Sequence, residues 1–211
     1  NLSDFDPAKD ALPEEKLTGV DRAFRGFLAS RVAAMRAACT RLEFHRLMDV
    51  LLDACTVHLS AVYLDVSKDR LYTLAPEDPR RRSAQTVVWH ALHDLAIAAS
   101  PALVFTAEEA WQHHPALLAE CESVHLARWS EPAADEGAAA EWERLLELRA
   151  AANAAIEPLR AAKTIATTQE AAVTLTAGGE HLGCARRHQA ELVDFLKVAA
   201  VTVVEGTELT A

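Results

Sequence analysis

The chain has 211 residues and 22.9 kDa, half of them apolar (51%) with only 7 Gly, enough for one ample core or for a main domain with a smaller appendage, and biased toward helix over strand. A formal net charge of −10 excludes a protein coated in positive charge, so any nucleic-acid site must be a local patch of the 21 Lys and Arg, of which five are Lys. Cys39, Cys55, Cys121 and Cys184 form no C-x-x-C pair, which excludes a zinc ribbon and a thioredoxin-type redox pair and leaves reduced thiols as the expectation.

Residues 1–15, with Pro7 and Pro13 among charges, read as an extended lead-in. Phe24, Leu28, Val32, Met35 and Cys39 then recur at helical spacing and predict a helix over 16–40. Phe44, Leu47, Leu51, Cys55, His58 and Val62 predict a second helix running to about Val66, antiparallel to the first because the linker is so short. The Pro76-Glu77-Asp78-Pro79 turn ends that segment, and a third helix is expected from Arg80, burying Ala84, Val88, Ala91, Leu95 and Ala98 before Pro101. Thr106-Ala107-Glu108-Glu109 has the form of a capping box, opening a short helix through Trp111. Residues 112–133 read as irregular and Ala134–Ala140 as a low-complexity acidic linker. A long helix carrying Trp142, Leu145, Leu146, Ala152, Ile156 and Leu159 comes next. After Lys163 the texture changes: 171–176 alternates like a strand, Gly178-Gly179 turns, 180–196 looks helical and 198–204 reads as a second strand. The expected architecture is mainly α, an antiparallel helical bundle over 1–163 with a small α/β appendage at 164–211.

No stretch approaches 18 uninterrupted apolar residues, and the N-terminus lacks the regions of a signal peptide, so the cytosol is expected and no membrane partner. The first residue is not Met, which suggests a piece cut from a longer protein.

No Gly-rich phosphate loop, nucleophile elbow or H-E-x-x-H helix is present, and no catalytic residue is assigned. His90 and His93 sit one turn apart but lack a third ligand, so a solvated pair is expected rather than a metal site. His113-His114 follows a helix end, where capping is the default role. Asp65 and Asp69 are neighbours on an acidic chain and are assigned no chemistry. The one dense basic cluster is Lys68, Arg70, Arg80, Arg81 and Arg82, near Tyr63 and Tyr72, with a local excess of +2 once Asp69, Glu77 and Asp78 are counted. Clustered Arg beside aromatics suits backbone tracking and base stacking. Spacing alone favours internal ion pairs or solvated charges instead. Arg149, Arg160 and Lys163 do not share one stripe of their helix, and Trp89, Trp111, Trp129 and Trp142 read as packing anchors.

Tyr63-Leu64-Asp65-Val66-Ser67-Lys68-Asp69-Arg70-Leu71-Tyr72, then Arg81-Arg82-Ser83-Ala84-Gln85-Thr86, then Phe105-Thr106-Ala107-Glu108-Glu109-Ala110-Trp111 resemble consecutive motifs in the anticodon-binding region of isoleucyl-tRNA synthetases, class I aminoacyl-tRNA synthetases. The entry Asn1 to Pro7 and the Glu157, Arg160, Lys163, Ile165 pattern extend the likeness over most of 1–175. Among synthetases for branched aliphatic amino acids the runs look isoleucyl rather than valyl or leucyl, which are kept as alternatives. The sequence departs at Ile165-Ala166-Thr167-Thr168-Gln169, where the family pattern has Gly and Ala166 resists a positive φ. The ligand set of the family's Cys-rich zinc module is not present in these residues.

The resemblance implies a module that holds the anticodon arm of isoleucine tRNA, with Lys68, Arg70, Arg80, Arg81 and Arg82 as its backbone contacts. The parent enzyme would attach isoleucine to its tRNA with ATP and Mg²⁺ in a catalytic domain absent here, a second partner of this chain. The fragment itself would need no cofactor and would be inactive alone. Two other readings stay open: the basic cluster as glue to the missing catalytic domain, and a stand-alone helical interaction domain.

Overall fold

A computed structural model describes residues 2–129 and 135–211. The chain divides into two compact units, 1–136 and 137–211. The first is a helical bundle. Short α1 (Pro7–Asp10) precedes α2 (Gly19–Thr40), whose N-cap Thr18 accepts from the Asp21 amide. Phe24, Phe27, Leu28, Val32 and Met35 of α2 are fully buried, the stripe that the 3.6-residue period requires. The helix closes where Leu42 takes a left-handed conformation (φ 58°), with Glu43 N–H donating to Ala38 and Leu42 N–H to Cys39. Three residues later the chain returns as α3 (Phe44–Asp53), packed on α2.

Here the structure departs from the expected helix end. From α3 the helix runs on through a π-wound segment, Ala54–Tyr63, into α4 (Leu64–Thr73). The wider winding moves the inward face by one residue. Leu47, Leu51, Ala54 and His58 point in at helical steps of three and four, with the expected Cys55 half-buried and Phe44 exposed, but the next buried residue is Tyr63, five positions on, rather than Val62. By length and composition this Phe44–Thr73 helix could cross a bilayer. Its Tyr63 and Arg70, however, bond to Asp21 of α2 inside the bundle.

Asp78 caps α5 (Pro79–Ala99) through the Arg80 amide, with Pro79 in the first turn, where its missing N–H costs nothing. α5 packs on α2 and α4; Ala84, Ala91, Leu95 and Ala98 are buried as expected, with Val87 deeper than Val88. The expected capping box does not form. α6 (Val104–Gln112) starts two residues before Thr106, which therefore lies inside the helix, and Glu108 accepts from Ser123 and the Val124 amide, tying a later turn to α6. The stretch expected to be irregular holds α7 (Pro115–Glu120) and a 3-10 turn, Val124–Leu126. Trp111 is fully buried and donates its indole N–H to the Cys121 carbonyl at 2.9 Å.

The second unit is built on α8 (Glu136–Ala161), which already includes most of the expected linker; Ala134 lies outside the described residues. The compact division falls just after the first residue of this helix, between Glu136 and Gly137. Trp142, Leu145, Leu148, Ala152 and Ile156 face inward, Leu146 is half-buried and Leu159 is exposed. β1 (Ala172–Ala177), α9 (Gly179–Arg187), α10 (Leu192–Leu196) and β2 (Ala200–Glu205) form a βαβ crossover, with β1 and β2 parallel from Ala172↔Ala200 to Ala177↔Glu205. The single helix expected at 180–196 is therefore two. The positive φ of the turn after α8 sits on Lys163 (55°), so Ala166 bears no such strain. Gly178 and Gly206 touch at the strand ends, where a Cβ on Gly178 would lie 2.3 Å from the Gly206 carbonyl oxygen.

Candidate nucleic-acid interface

The basic cluster straddles the joint between α4 and α5, and the fold sorts its five cations by burial. Asp21 of α2 is fully buried. Arg70 reaches it with both terminal nitrogens, 2.9 Å to each carboxylate oxygen, and its side chain is 11% exposed. Tyr63 and Ser83 donate to the same carboxylate at 2.8 and 2.5 Å, and Arg70 also bonds Ser67 at 3.1 Å. Ser83 in turn accepts from the Thr18 amide. The hub fixes α2, α4 and α5 together. Burial, and then the negative Asp21 beside it, hold the Tyr63 phenol well above its ordinary pKa.

Arg81 and Arg82 are spent on the N-terminal segment. Arg81 donates to the Leu74 carbonyl at 2.7 Å and to Asp4 at 2.8 Å. Arg82 donates to the Asp4 carbonyl at 2.9 Å and to Gln85 at 2.8 Å, and Gln85 donates back to Asp4. Burial pushes the Asp4 carboxyl up, but the hydrogen bonds from Gln85 and Arg81 and the Arg81 charge outweigh it and hold the group low.

Lys68 and Arg80 remain at the surface, their side chains 59% and 58% exposed. Each has a near neighbour in sequence as partner: Asp65 at 3.2 Å for Lys68, Asp78 at 3.0 Å for Arg80. The Arg80 hydrogen bond holds the Asp78 carboxyl below its usual range. Such exposed pairs contribute little to stability and exchange readily for another anion. Tyr72 stands one turn beyond Lys68 on α4 and is well exposed, so an ammonium and an aromatic face share one side of the helix. Tyr63, the other aromatic near the cluster in sequence, is instead stacked inside on Phe24 with centroids 4.1 Å apart.

The histidines depart from the expected solvated pair. His90 is half-buried, and desolvation, then the Arg25 charge, lower its pKa to about 4. His93 packs near Trp89 and Trp111 and pairs with Asp94 at 3.0 Å and Glu120 at 3.2 Å. Burial opposes its protonation, but those carboxylates prevail and raise its pKa. His113 bonds the Glu109 carbonyl at the end of α6, and His114 accepts from the Ala116 amide at the start of α7, so both serve as caps. The tryptophans Trp89, Trp111 and Trp142 are buried, and Trp129 packs partly buried on the bundle core.

The four cysteines are free thiols. Among the described residues Glu141, Cys184 and His188 of the second unit gather metal-competent atoms within 4.8 Å of one another. Their signal in the sequence is the Cys-x-x-x-His spacing, one helical turn, which has no meaning until α8 supplies Glu141.

The profile of the family described as "Anticodon-binding domain of tRNA ligase" matches residues 21–175. The chain belongs to that anticodon-binding family. Isoleucine–tRNA ligases resemble it over nearly its full length: 39% identity with that of Symbiobacterium thermophilum over 98% of this chain, and 41% with that of Laribacter hongkongensis over 99%. The ligase of Thermosynechococcus vestitus is 40% identical over 83% of the chain. The chain spans about a fifth to a quarter of these relatives' length, 23%, 22% and 19%. In this anticodon-binding domain the three motifs flank the α4–α5 joint and its neighbour α6.

Proposed function

We propose that this chain is the tRNA-holding module of an isoleucine–tRNA ligase, docking the anticodon arm of isoleucine tRNA at the α4–α5 joint. The observation that carries the reading is the matched anticodon-binding domain together with the near-full-length likeness to isoleucine–tRNA ligases. At the joint, Lys68 and Arg80 are assigned to phosphate contacts, and Tyr72 to stacking on an unpaired base. Single-stranded loops are the readable part of RNA because their bases are free to stack and to expose their edges. Arg70, Arg81 and Arg82 are assigned to holding the joint in shape, since Asp21, Asp4 and Leu74 already occupy their donors. Their charges still offset the −10 of the chain near the RNA.

The parent enzyme would supply the catalytic domain, ATP and Mg²⁺ and would work in the cytoplasm, while this chain alone would form no aminoacyl-tRNA. The test is Lys68→Ala with Arg80→Ala in a salt titration of stem-loop binding. Loss of about two units of salt slope supports the contacts, because each phosphate contact contributes about one. An unchanged slope removes them.

A second reading, packing on the rest of a longer ligase, is favoured by an apolar groove of about 440 Å³ lined by Leu51, Leu59, Leu92, Leu95 and Leu103. Near it in sequence Phe105 is 88% exposed. In that reading Phe105→Ser would lower the thermal stability of the intact ligase and leave this isolated chain unaffected.

A further inference from the structure

In the second unit a thiol, an imidazole and a carboxylate converge. Cys184 and His188 stand one turn apart at the end of α9, and Glu141 reaches them from α8, with the candidate ligand atoms all within 4.8 Å of one another. Cys184 is fully buried and His188 is 6% exposed. The His188 Nε2 lies 3.0 Å from Glu141 Oε1. Its Nδ1 is buried with no hydrogen-bond partner among the described residues, 3.7 Å from Glu191 Oε1. Apolar packing does not account for this grouping: it gathers a fully buried thiol, a buried imidazole and a carboxylate in one place.

We propose that Glu141, Cys184 and His188 bind a zinc-class divalent cation through Cys184 Sγ, His188 Nε2 and Glu141 Oε1, with the fourth position left to solvent. Mixed sulfur, nitrogen and oxygen donors are the set that a borderline-soft cation prefers, and hard Mg²⁺ or Ca²⁺ would not choose a thiolate. Binding breaks the Cys184 S–H bond and releases that proton to the buffer, while the imidazole binds neutral. The remaining imidazole proton then sits on Nδ1, where a small shift brings it onto Glu191, the outer carboxylate that metal-bound imidazoles commonly have. Glu141 has two oxygens to share. Arg187 donates to Oε1 at 2.8 Å and to Oε2 at 2.7 Å, so the cation displaces the first hydrogen bond and leaves the second. Arg187 is well exposed and gives up that contact to water. The cation would tie α8 to α9 and stabilise the second unit by mass action.

The test is a Co²⁺ titration of the intact 211-residue chain, followed by Zn²⁺ competition. The expected result is one equivalent bound with a thiolate-to-cobalt charge-transfer band, abolished by Zn²⁺. Cys184→Ser should remove the band, and His188→Gln should weaken affinity about tenfold or more. Arg187→Gln, which supplies no ligand but removes the hydrogen bond to Glu141 Oε1 that the cation must displace, should keep or tighten one-equivalent binding. Circular dichroism checks that each variant is folded. Absence of a stoichiometric band in the unaltered chain overturns the proposal, whatever the variants do. A band that survives in Cys184→Ser overturns it too, since Cys39, Cys55 or Cys121 would then be the source.

Discussion

Replacing Arg70 by Met removes the cation from a carboxylate that water cannot reach. Asp21 accepts four hydrogen bonds, two from Arg70 at 2.9 Å and one each from Tyr63 and Ser83 at 2.8 and 2.5 Å. The substitution strips two of the four and leaves a buried anion with two neutral donors. Breaking a buried ion pair from one side costs about 3–5 kcal/mol, mostly from the charge left behind rather than from the pair's own net worth. At about 2–4 °C per kcal/mol for a chain of this size, the unfolding midpoint should fall by roughly 6–20 °C. Asp21→Asn keeps an acceptor but loses the charge, and the double variant should be more stable than the sum of the single losses predicts, by about 1–3 kcal/mol. Thermal unfolding followed by circular dichroism measures all four species. Additive losses, with Arg70→Met costing under about 1 kcal/mol, would refute the hub. A fall in the salt slope of RNA binding in folded Arg70→Met would refute its assignment to positioning.

The remaining expectations concern protonation and backbone. With its pKa lowered from 6.5 to about 4, His90 binds its proton more weakly in the folded chain than in the unfolded one. Its contribution is fully present above pH 6.5 and is lost as pH falls toward 4, by up to about 3 kcal/mol at 1.36 kcal/mol per unit. His93, whose pKa is raised, acts in the opposite sense, losing its contribution as pH rises above 6.5. Urea unfolding of His90→Leu from pH 4 to 7 should show a flatter pH dependence. Leu42→Gly should raise stability by about 0.5–1 kcal/mol, because an exposed β-carbon is strained at φ 58°. Chemical denaturation with an unchanged slope measures that gain. Gly178→Ala should destabilise the second unit by about 1–3 kcal/mol through its clash with the Gly206 carbonyl. Hydrogen exchange of β1 amides should report the loss before the bundle changes.

Much of the fold was legible because apolar periodicity decides burial. The α2 stripe from Phe24 to Met35 and the alternation at 171–176 both appear where the pattern puts them. Failures came where a local rule met a tertiary one. Val62 gave way to Tyr63 because a π-wound stretch adds one residue to the turn, which no 3.6-residue pattern contains. Thr106 and Glu109 have the spacing of a capping box, but α6 begins at Val104 and leaves Thr106 inside the helix, while Glu108 meets Ser123 and Val124 across a fold-back that the sequence does not encode locally. At the joint, spacing gathered the five cations but could not show that Asp21, 49 positions away from Arg70, lay beneath one of them. Asp4, 77 positions from Arg81 and 78 from Arg82, is the same kind of omission.

Binding of the intact chain to the anticodon stem-loop of isoleucine tRNA, beside a stem-loop with the same stem and a scrambled loop, tests the central claim most directly. The account predicts tighter binding to the isoleucine loop and a linear fall of log affinity with log salt, with a slope of several phosphates. Equal and weak binding to both loops would contradict a module that reads RNA by itself.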